Sequence, residues 1–320
     1  MRVTNYLNLD QTKKENRHQP SSGYSICCLL IVLWSASSMA APRRTNAPLR
    51  IALLAVKCAA PSETPVDIET TLRDSLDRDT RISRLDDSMV RAALKGFGYE
   101  WSTNMTTAEA RRLGAAIGCD YLILGKVELL ARSAAAGESH EEAYVALFFV
   151  DARTGKLQLF DFAQQKTDTK EAAIGGLKRA IEARVASYVD QLLNARLSKP
   201  IANQAPAMGE PVESIPEEGS ARAEGFAPPQ FLNRVKPEYT AQADLADVTA
   251  TVEASVVFKS SGEIGMVEIL RWAGYGLDES SLRAIQQLKF NPAMRDGRPV
   301  SVRATVQYNF RRLEDRRTKP

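Results

Sequence analysis

Continuous apolar runs and helix-period stripes alternate along residues 49–197. The runs Arg50–Val56 and Tyr121–Val127 are apolar almost throughout, a pattern typical of strands that are buried on both faces. Between them, one stripe recurs every four residues at Ile68, Leu72 and Leu76, which predicts a helix with a single apolar face. These patterns predict an α/β domain over residues 49–197.

The later part of this domain changes from alternation to a hairpin. Two apolar runs, Ala143–Val150 and Lys156–Phe162, are joined by Asp151–Gly155, whose glycine can supply the positive φ angle of a tight turn. A long amphipathic helix follows, with Ile174 and Leu192 at the two ends of its apolar face. A hairpin beside the earlier strands predicts a mixed sheet with helices over it.

Residues 198–228 contain almost no large apolar side chain that would support packing. Prolines are interleaved with glutamates here: Pro200, Pro206, Pro211, Pro216 and Pro228 with Glu210, Glu213, Glu217 and Glu218. This composition predicts an extended, self-repelling linker. The linker is interpreted either as a tether that holds two domains apart or as an ordinary spacer between them.

Residues 229–312 carry the period-two alternation of half-buried strands. It appears at Val248–Phe258 and at Val300–Phe310, and another strand is predicted at Ile264–Trp272. A helix with Asp278 as its predicted N-cap lies between the second and third strands. The order β-β-α-β predicts a small α+β domain after the α/β domain, and so a chain of two domains.

Six short motifs occur in order within this second domain. They are Pro237-Glu-Tyr239, Phe258–Ile264, Gly276-Leu-Asp278, Phe290–Ala293, Gly297–Val300 and Val306–Phe310. In this order and spacing, residues 229–312 resemble the TonB C-terminal domain. The chain departs from the family's pattern at Thr240, Ser281 and Leu288, and these departures bear on the choice of partner more than on the fold.

The resemblance to TonB implies binding to a periplasmic segment of outer-membrane transporters, as an extended peptide beside the last strand. An exposed strand edge suits this role because its unpaired N–H and C=O groups can bond to an added strand. Arg303, Thr305 and Gln307 would present side chains there, or they form only a solvated face. The predicted partner-binding residues are Ser301, Val302, Arg303, Ala304, Thr305, Val306, Gln307, Tyr308 and Asn309.

The first domain carries a resemblance of its own. The opening strand, the stretch Ala110–Gly125 and the hairpin Phe149–Gly155 resemble the amino-terminal domain of TolB and envelope domains of the CsgG and LpoB kind. These residues determine a fold and carry no chemistry, so the resemblance implies an architecture and an envelope setting without implying an activity.

Residues 1–41 have the shape of a targeting segment. A polar stretch precedes the apolar run Ile26–Trp34, and small residues follow up to Ala41. An apolar core of about ten residues before an Ala-x-Ala-like site predicts a cleaved signal peptide and a periplasmic protein, since a membrane-spanning helix needs about 20 apolar residues. The alternative is an uncleaved inner-membrane anchor. It implies an energy transducer whose partner is an ExbB/ExbD-type motor.

Charge and cysteine content narrow the choice of partner and of covalent links. The 320 residues include 42 Lys and Arg against 39 Asp and Glu, a balance that argues against nucleic acid as a partner. A basic tail, residues 313–320, ends the chain.

The predicted parallel strands place Cys58 and Cys119 at opposite ends of the sheet, and a disulfide requires Cα atoms within about 7 Å. Two buried thiols are therefore favoured over a disulfide.

Residues that catalysis or metal binding would need are scarce. The imidazoles are those of His18 and His140, and His140 lies in a predicted polar loop beside Glu138, Glu141 and Glu142. A zinc site needs three or four converging ligands. No phosphate-binding, dinucleotide-binding or hydrolase motif is present. The sequence predicts a protein that is not an enzyme and that uses no cofactor and no metal.

These patterns favour a non-enzymatic periplasmic adaptor that contacts transporters through its second domain. Two alternatives stay open: the anchored energy transducer, and a regulator that binds a peptidoglycan enzyme through the first domain. Asn104-Met-Thr106 also matches a glycosylation acceptor, an interpretation that requires a eukaryotic secretory route.

Overall fold

The computed structural model describes residues 47–58, 67–133, 139–198, 211–217 and 219–312. The predicted targeting segment (residues 1–41), the basic tail (residues 313–320) and residues 199–210 of the predicted linker lie outside these ranges. The described residues form two main sheets that share a hydrophobic core. None of the described helices combines the length and the apolar character needed to cross a membrane.

The first domain, residues 49–197, begins with strands and helices in alternation and ends with a hairpin and a long helix. In chain order its elements are β1 (Leu49–Cys58), α1 (Ile68–Asp77), β2 (Ile82–Arg84), α2 (Asp87–Phe97), α3 (Thr107–Ile117), β3 (Tyr121–Ser133), β4 (Ser139–Asp151), β5 (Leu157–Thr167) and α4 (Lys170–Leu197). The sheet order is β2-β1-β3-β4-β5. Strand β1 is parallel to both of its neighbours and the other pairs are antiparallel. The predicted mixed sheet is confirmed.

The helices α2 and α3 begin at residues whose side chains accept hydrogen bonds from backbone N–H groups of the first turn. Asp86 caps α2 by accepting hydrogen bonds from two N–H groups of that turn. Thr106 and Glu109 form a capping box at the start of α3, which pairs N–H groups that have no partner inside a helix. Helix α3 ends at Gly118, whose φ of 76° favours glycine.

Both faces of the first sheet are covered, which explains its continuous apolar runs. One face carries Phe149 and packs against α1 and α4 through residues such as Leu72 and Leu177. The other face carries Leu122 and Phe148 and packs against α2, α3 and the C-terminal domain. The strands are apolar throughout because both faces of the sheet are buried, and the C-terminal domain covers part of one face.

Two local predictions on this domain have different outcomes. Cys58 and Cys119 are unpaired and partly buried. The register pairs Ile51 with Tyr121 and Cys58 with Val127, so Cys58 lies at the end of β1 that is remote from Cys119, as predicted.

The prediction of a loop at His140 is wrong, because His140 lies within β4. The backbone ladder between β3 and β4 extends past the apolar residues, since main-chain pairing does not require apolar side chains.

The second domain and the residues just before it form a sheet that is mostly antiparallel. In chain order the elements are β6 (Val212–Ser214), a 3₁₀ turn (Ala221–Ala223), β7 (Phe226–Ala227), β8 (Gln230–Phe231), α5 (Ala241–Leu245), β9 (Ala250–Phe258), β10 (Ile264–Arg271), α6 (Leu277–Gln286), β11 (Phe290–Asn291), β12 (Ala293–Arg295) and β13 (Arg298–Phe310). The main sheet has the order β10-β9-β13-β12-β7, and β6 also pairs with β13. Strands β9 and β10, helix α6 and strand β13 form the predicted β-β-α-β order, which is confirmed.

The second half of the predicted linker belongs to this sheet. Strand β6 pairs in parallel with Ser301–Arg303 of β13, and β7 pairs with β12. Ile215 and Phe226 are partly buried against the core. The prediction of a linker through residue 228 is therefore wrong for the described residues from 211 onward. Strands of two or three residues form here because β12 and β13 supply the partner hydrogen bonds.

An aromatic cluster joins the two domains. Trp272 and Tyr275, in the loop after β10, lie against Phe148, Phe160 and Phe162 of the first sheet, with ring centroids 5.0 to 5.9 Å apart. Offset and edge-on aromatic contacts at these separations are favourable beyond the area that they bury. This packing contradicts the interpretation of the linker as a tether that holds the domains apart.

Asn104 adds polar contacts between the domains. Its side-chain amide donates to the carbonyl oxygens of Thr251 (2.8 Å) and Trp272 (2.7 Å) and accepts from the N–H of Thr251 (3.0 Å). Arg271 donates to the Asn104 carbonyl oxygen at 2.9 Å, and Thr106 forms a β-bridge with Arg271. The first domain therefore covers one end of the outer edge of β10.

Asp278 fixes the loop that carries Trp272 and Tyr275. Helix α6 begins after Gly276, so the prediction of Asp278 as the N-cap is wrong. The carboxylate instead accepts hydrogen bonds from the N–H groups of Ala273 (2.9 Å) and Gly274 (2.8 Å). Burial raises the pKa of Asp278 to about 6, although these two hydrogen bonds act to lower it.

The raised pKa of Asp278 predicts a pH-dependent contribution to stability. The folded chain holds this proton more tightly than the unfolded chain, whose pKa is 3.8. The contribution is therefore complete below about pH 4 and is lost as the pH rises through about 6. Between pH 4 and 7 the stability of the wild type relative to Asp278→Asn should fall by about 2 kcal/mol, measured by urea unfolding. Asp74→Asn, at an exposed carboxylate on α1, is the control, and a difference that does not change with pH would contradict the prediction.

Candidate functional site

Strand β13 alternates between buried and exposed side chains along its length. Val302, Tyr308 and Phe310 are buried and hold the strand in the core. The exposed side chains beyond the start of the strand are Arg303, Thr305, Gln307 and Asn309. The predicted polar face is confirmed, because period-two alternation places every second side chain on the same side of a sheet.

One edge of β13 is fully paired with β9. The antiparallel register runs without a break from Val302 opposite Phe258 to Phe310 opposite Ala250. A ladder of this length fixes the backbone of β13 before any partner arrives. A strand that adds to the opposite edge therefore meets a preorganised surface, which lowers the entropy cost of binding.

The opposite edge of β13 is only partly occupied. Strand β12 pairs with Arg298–Val300, and β6 pairs with Ser301–Arg303. Within the part of the chain that the structure describes, no strand pairs with Ala304–Asn309 on this side. The first three residues of the predicted docking edge, Ser301–Asn309, are therefore already paired with β6. The remaining six residues span about 20 Å.

The polar side chains at the far end of this edge bond to one another. Thr251 Oγ1 donates to Asn309 Oδ1 at 2.8 Å, and Gln307 Nε2 donates to the same oxygen at 3.3 Å. Asn309 therefore also holds β13 to β9, whereas the bond from Gln307 lies within β13. Arg303 and Thr305 are exposed nearer to β6, where they lie beside any strand that adds to the edge.

Tyr308 leaves one polar atom unsatisfied beneath the edge. Its side chain is 6% exposed. The hydroxyl is buried with no hydrogen-bond partner among the described residues, and burial raises the pKa of Tyr308. An unpaired buried hydroxyl costs about 1–3 kcal/mol.

Removing this hydroxyl should stabilise the protein. We expect Tyr308→Phe to raise the free energy of unfolding by about 1 kcal/mol, because it removes the cost of desolvation without breaking a hydrogen bond. Urea unfolding measures the change. Tyr239→Phe is the matched control: the Tyr239 hydroxyl donates to the Val248 carbonyl oxygen at 2.8 Å, so its loss should lower stability by about 1 kcal/mol. A Tyr308→Phe variant less stable than the wild type would show that the hydroxyl has a partner.

Sequence reasoning missed two features, one at the site and one between the domains. Strand β6 occupies the start of the edge, and its three residues are too few for a periodic signal. The one available signal was the presence of Val212 and Ile215 in a segment otherwise rich in proline and glutamate. The interdomain role of Asn104 was also missed, because a local pattern does not show which residues are distant in sequence and close in space.

The second domain has a counterpart among known protein families. Residues 235–311 match the family model for the Gram-negative bacterial TonB protein C-terminal. The second domain is TonB-like. The match confirms the resemblance stated from the motifs, and the available edge of β13 lies inside it. No curated protein matches this chain.

Several solved structures are similar to parts of the chain. The hypothetical protein CT253 from Chlamydia trachomatis is 9% identical with a TM-score of 0.35, and the match covers 47% of this chain and 99% of that one. The TonB CTD of Pseudomonas aeruginosa is 21% identical with a TM-score of 0.25, covering 33% and 97%. The LpoB C-terminal domain of Salmonella enterica is 14% identical with a TM-score of 0.27, covering 38% and 84%. TonB and LpoB are both among the resemblances stated from the sequence.

Proposed function

We propose that this chain is a non-enzymatic adaptor of the bacterial envelope that binds a periplasmic segment of an outer-membrane TonB-dependent transporter by strand addition. One observation carries the proposal: among the described residues, Ala304–Asn309 of β13 has no strand on the side opposite β9. This edge lies within the region that matches the TonB family model.

The available length suits a modest and reversible affinity. About half of the residues on a strand edge direct their N–H and C=O groups outward, so six residues offer about six hydrogen bonds. Each contributes a net of about 0.5–1.5 kcal/mol, and association costs several kcal/mol. The expected dissociation constant is on the order of micromolar or weaker.

The charges near the edge favour an acidic or polar segment. Arg303 and Arg311 are exposed at the two ends of the available edge. Arg312 also lies at the end of the strand, where it forms an ion pair with Asp244 at 3.2 Å. A segment with carboxylates near its ends would complement these arginines and associate faster at low ionic strength.

The proposal places the mature chain in the periplasm after cleavage of the signal peptide. The alternative is an uncleaved inner-membrane anchor and energy transduction with an ExbB/ExbD-type motor. Mass spectrometry of the native N-terminus separates the two: a chain that begins near Ala41 supports the periplasmic adaptor. An intact N-terminus in the inner-membrane fraction supports the transducer.

Binding of synthetic peptides tests the proposal. The peptides cover the N-terminal periplasmic segments of the outer-membrane transporters of the same bacterium, and fluorescence anisotropy measures their binding to the full chain. Each binding segment is remade with N-methyl groups on alternate residues, in two complementary sets. The set that blocks the N–H groups facing β13 should abolish binding, and the other set should retain it. Equal binding by both methylated sets, or no binding by any segment, would contradict the proposal.

A further inference from the structure

Strand β6 lies on the same edge of β13 as the proposed docking site. Val212–Ser214 pairs in parallel with Ser301–Arg303. Ile215, the next residue, is partly buried against the shared core. The chain therefore carries its own short added strand, directly beside the six residues that remain available.

The pairing of β6 is short and bounded by prolines. It consists of three residue pairs, and parallel pairing is slightly less stable per residue than antiparallel pairing. Pro211 precedes β6, and Pro216 follows it by two residues. Pro216 has no N–H group and cannot continue the ladder. Strand β6 therefore cannot extend over Ala304–Asn309.

Strand β6 borders a cleft and has few side-chain contacts. A cleft of about 500 Å³ is lined by Glu213, Ile215, Arg222 and Arg295, among other residues. Val212 is 41% exposed. The main side-chain contact of β6 is the ion pair between Glu213 and Arg295, with Oε2 and Nε 2.8 Å apart and both side chains partly exposed. Because Val212 and Ser214 are exposed and Glu213 is only partly buried, the three side chains of β6 bury little apolar surface.

We infer that β6 is a displaceable internal strand that occupies the start of the docking edge. The external segment that replaces it runs parallel to β13, with an acidic residue opposite Val302 and an apolar residue two positions later. The inference rests on the proposed function and adds the direction, register and chemistry of the partner. Strand β6 supplies all three: Glu213 lies opposite Val302, its carboxylate binds Arg295, and Ile215 packs on the core.

An external segment competes with a strand that belongs to the same chain as the docking edge. A short flexible connection gives an effective concentration on the order of millimolar. A segment present at micromolar concentration must therefore bind about a thousandfold more tightly than β6 does. An external strand can reach that excess because it pairs along Ser301–Asn309, three times the length that β6 covers.

A peptide copied from the chain itself tests displacement. The probe is a fluorescent peptide of residues 211–217, added to three full-length proteins. They are the wild type, a β6 variant (Val212→Gly, Glu213→Gly and Ile215→Gly) and a control with three glycines at the exposed residues Glu224, Arg234 and Lys236. We expect the β6 variant to bind the peptide at least tenfold more tightly than the other two. Equal affinity in all three would overturn the inference.

Charge reversal tests the register. A peptide with lysine in place of Glu213 should bind the β6 variant less tightly than the original peptide. Adding Arg295→Glu to that variant should restore binding of the lysine peptide and weaken binding of the original. If the lysine peptide binds as well as the original and Arg295→Glu changes neither affinity, the acidic requirement is wrong.

Transporter segments on the same three proteins separate the two proposals. Segments that bind the β6 variant more tightly than the wild type support displacement. If they bind all three proteins equally, displacement is wrong and the proposed function stands. If no transporter segment binds any of them while the chain peptide still distinguishes the β6 variant, the proposed partner is wrong and the displaceable strand stands.

Discussion

Trp272→Ala is expected to lower the free energy of unfolding by about 3–5 kcal/mol, the largest stability effect of any substitution considered. The side chain is 1% exposed, and its ring lies 5.6 Å from that of Phe148. Its Nε1 donates to the carbonyl oxygen of Gly155 at 3.1 Å. The substitution leaves a cavity and an unpaired carbonyl between the two domains, and both effects are costly.

Urea unfolding with two probes checks this prediction. Because Trp272 joins the domains, the variant should also lose cooperativity, with secondary structure and aromatic fluorescence changing at different urea concentrations. Met266→Ala on β10 is the control, since Met266 is 67% exposed and surface substitutions usually change stability by less than about 0.5 kcal/mol. A loss below about 1 kcal/mol for Trp272→Ala would show that the interdomain packing is not what holds the domains together.

A proline on the available edge of β13 should weaken binding of a transporter segment by about tenfold to a hundredfold. Alternate residues direct their N–H groups to β9 or outward, so of Thr305→Pro and Val306→Pro one keeps the β9 ladder intact. That variant should fold, because strands tolerate proline where the N–H faces solvent. It removes a donor and leaves the partner carbonyl unpaired, at a cost of about 1–3 kcal/mol.

Alanine at the same two positions provides the matched controls. Thr305→Ala and Val306→Ala keep the backbone N–H group. Both should bind the transporter segment like the wild type, because backbone groups and not these side chains carry the binding. Circular dichroism identifies the proline variant that remains folded. Wild-type affinity in that variant would show that the edge of β13 does not carry binding.

The long strands of the second domain could be predicted because their signal is local. Val252, Ala254 and Val256 alternate with polar residues, and period-two alternation depends only on neighbours in sequence. Strands β6, β7 and β12 have two or three residues each, which is too short for a period to appear. The partners of β6 and β7 are β13 and β12, which lie more than 60 residues further along the chain, so the local pattern does not show the pairing.

The cover over the first sheet could be predicted only in part. The run Tyr121–Val127 indicates burial on both faces, and both faces are buried. The pattern does not say that Trp272 and Tyr275 supply part of that cover, since hydrophobic burial is non-directional. Asn104 shows the same limit for polar residues, because its partners Thr251 and Trp272 are more than 140 residues away.

The sequence predicted a docking edge over all of Ser301–Asn309, and it did not show that β6 pairs with the first three of these residues. The sequence pattern shows which side chains of β13 are exposed but not which backbone groups are already paired. The prolines on either side of Val212–Ser214 favoured an unstructured linker, and proline does exclude long strands. Proline does not exclude a strand of three residues between two prolines, and β6 has this length.

Amide hydrogen exchange on the isotope-labelled chain, read residue by residue with NMR, tests the strand-addition account most directly. A saturating transporter segment should slow exchange at alternate amides within Ala304–Asn309, those that face away from β9. The amides bonded to β9 should already be protected and should not change. Unaltered exchange along Ala304–Asn309 in the presence of a bound segment would contradict the account.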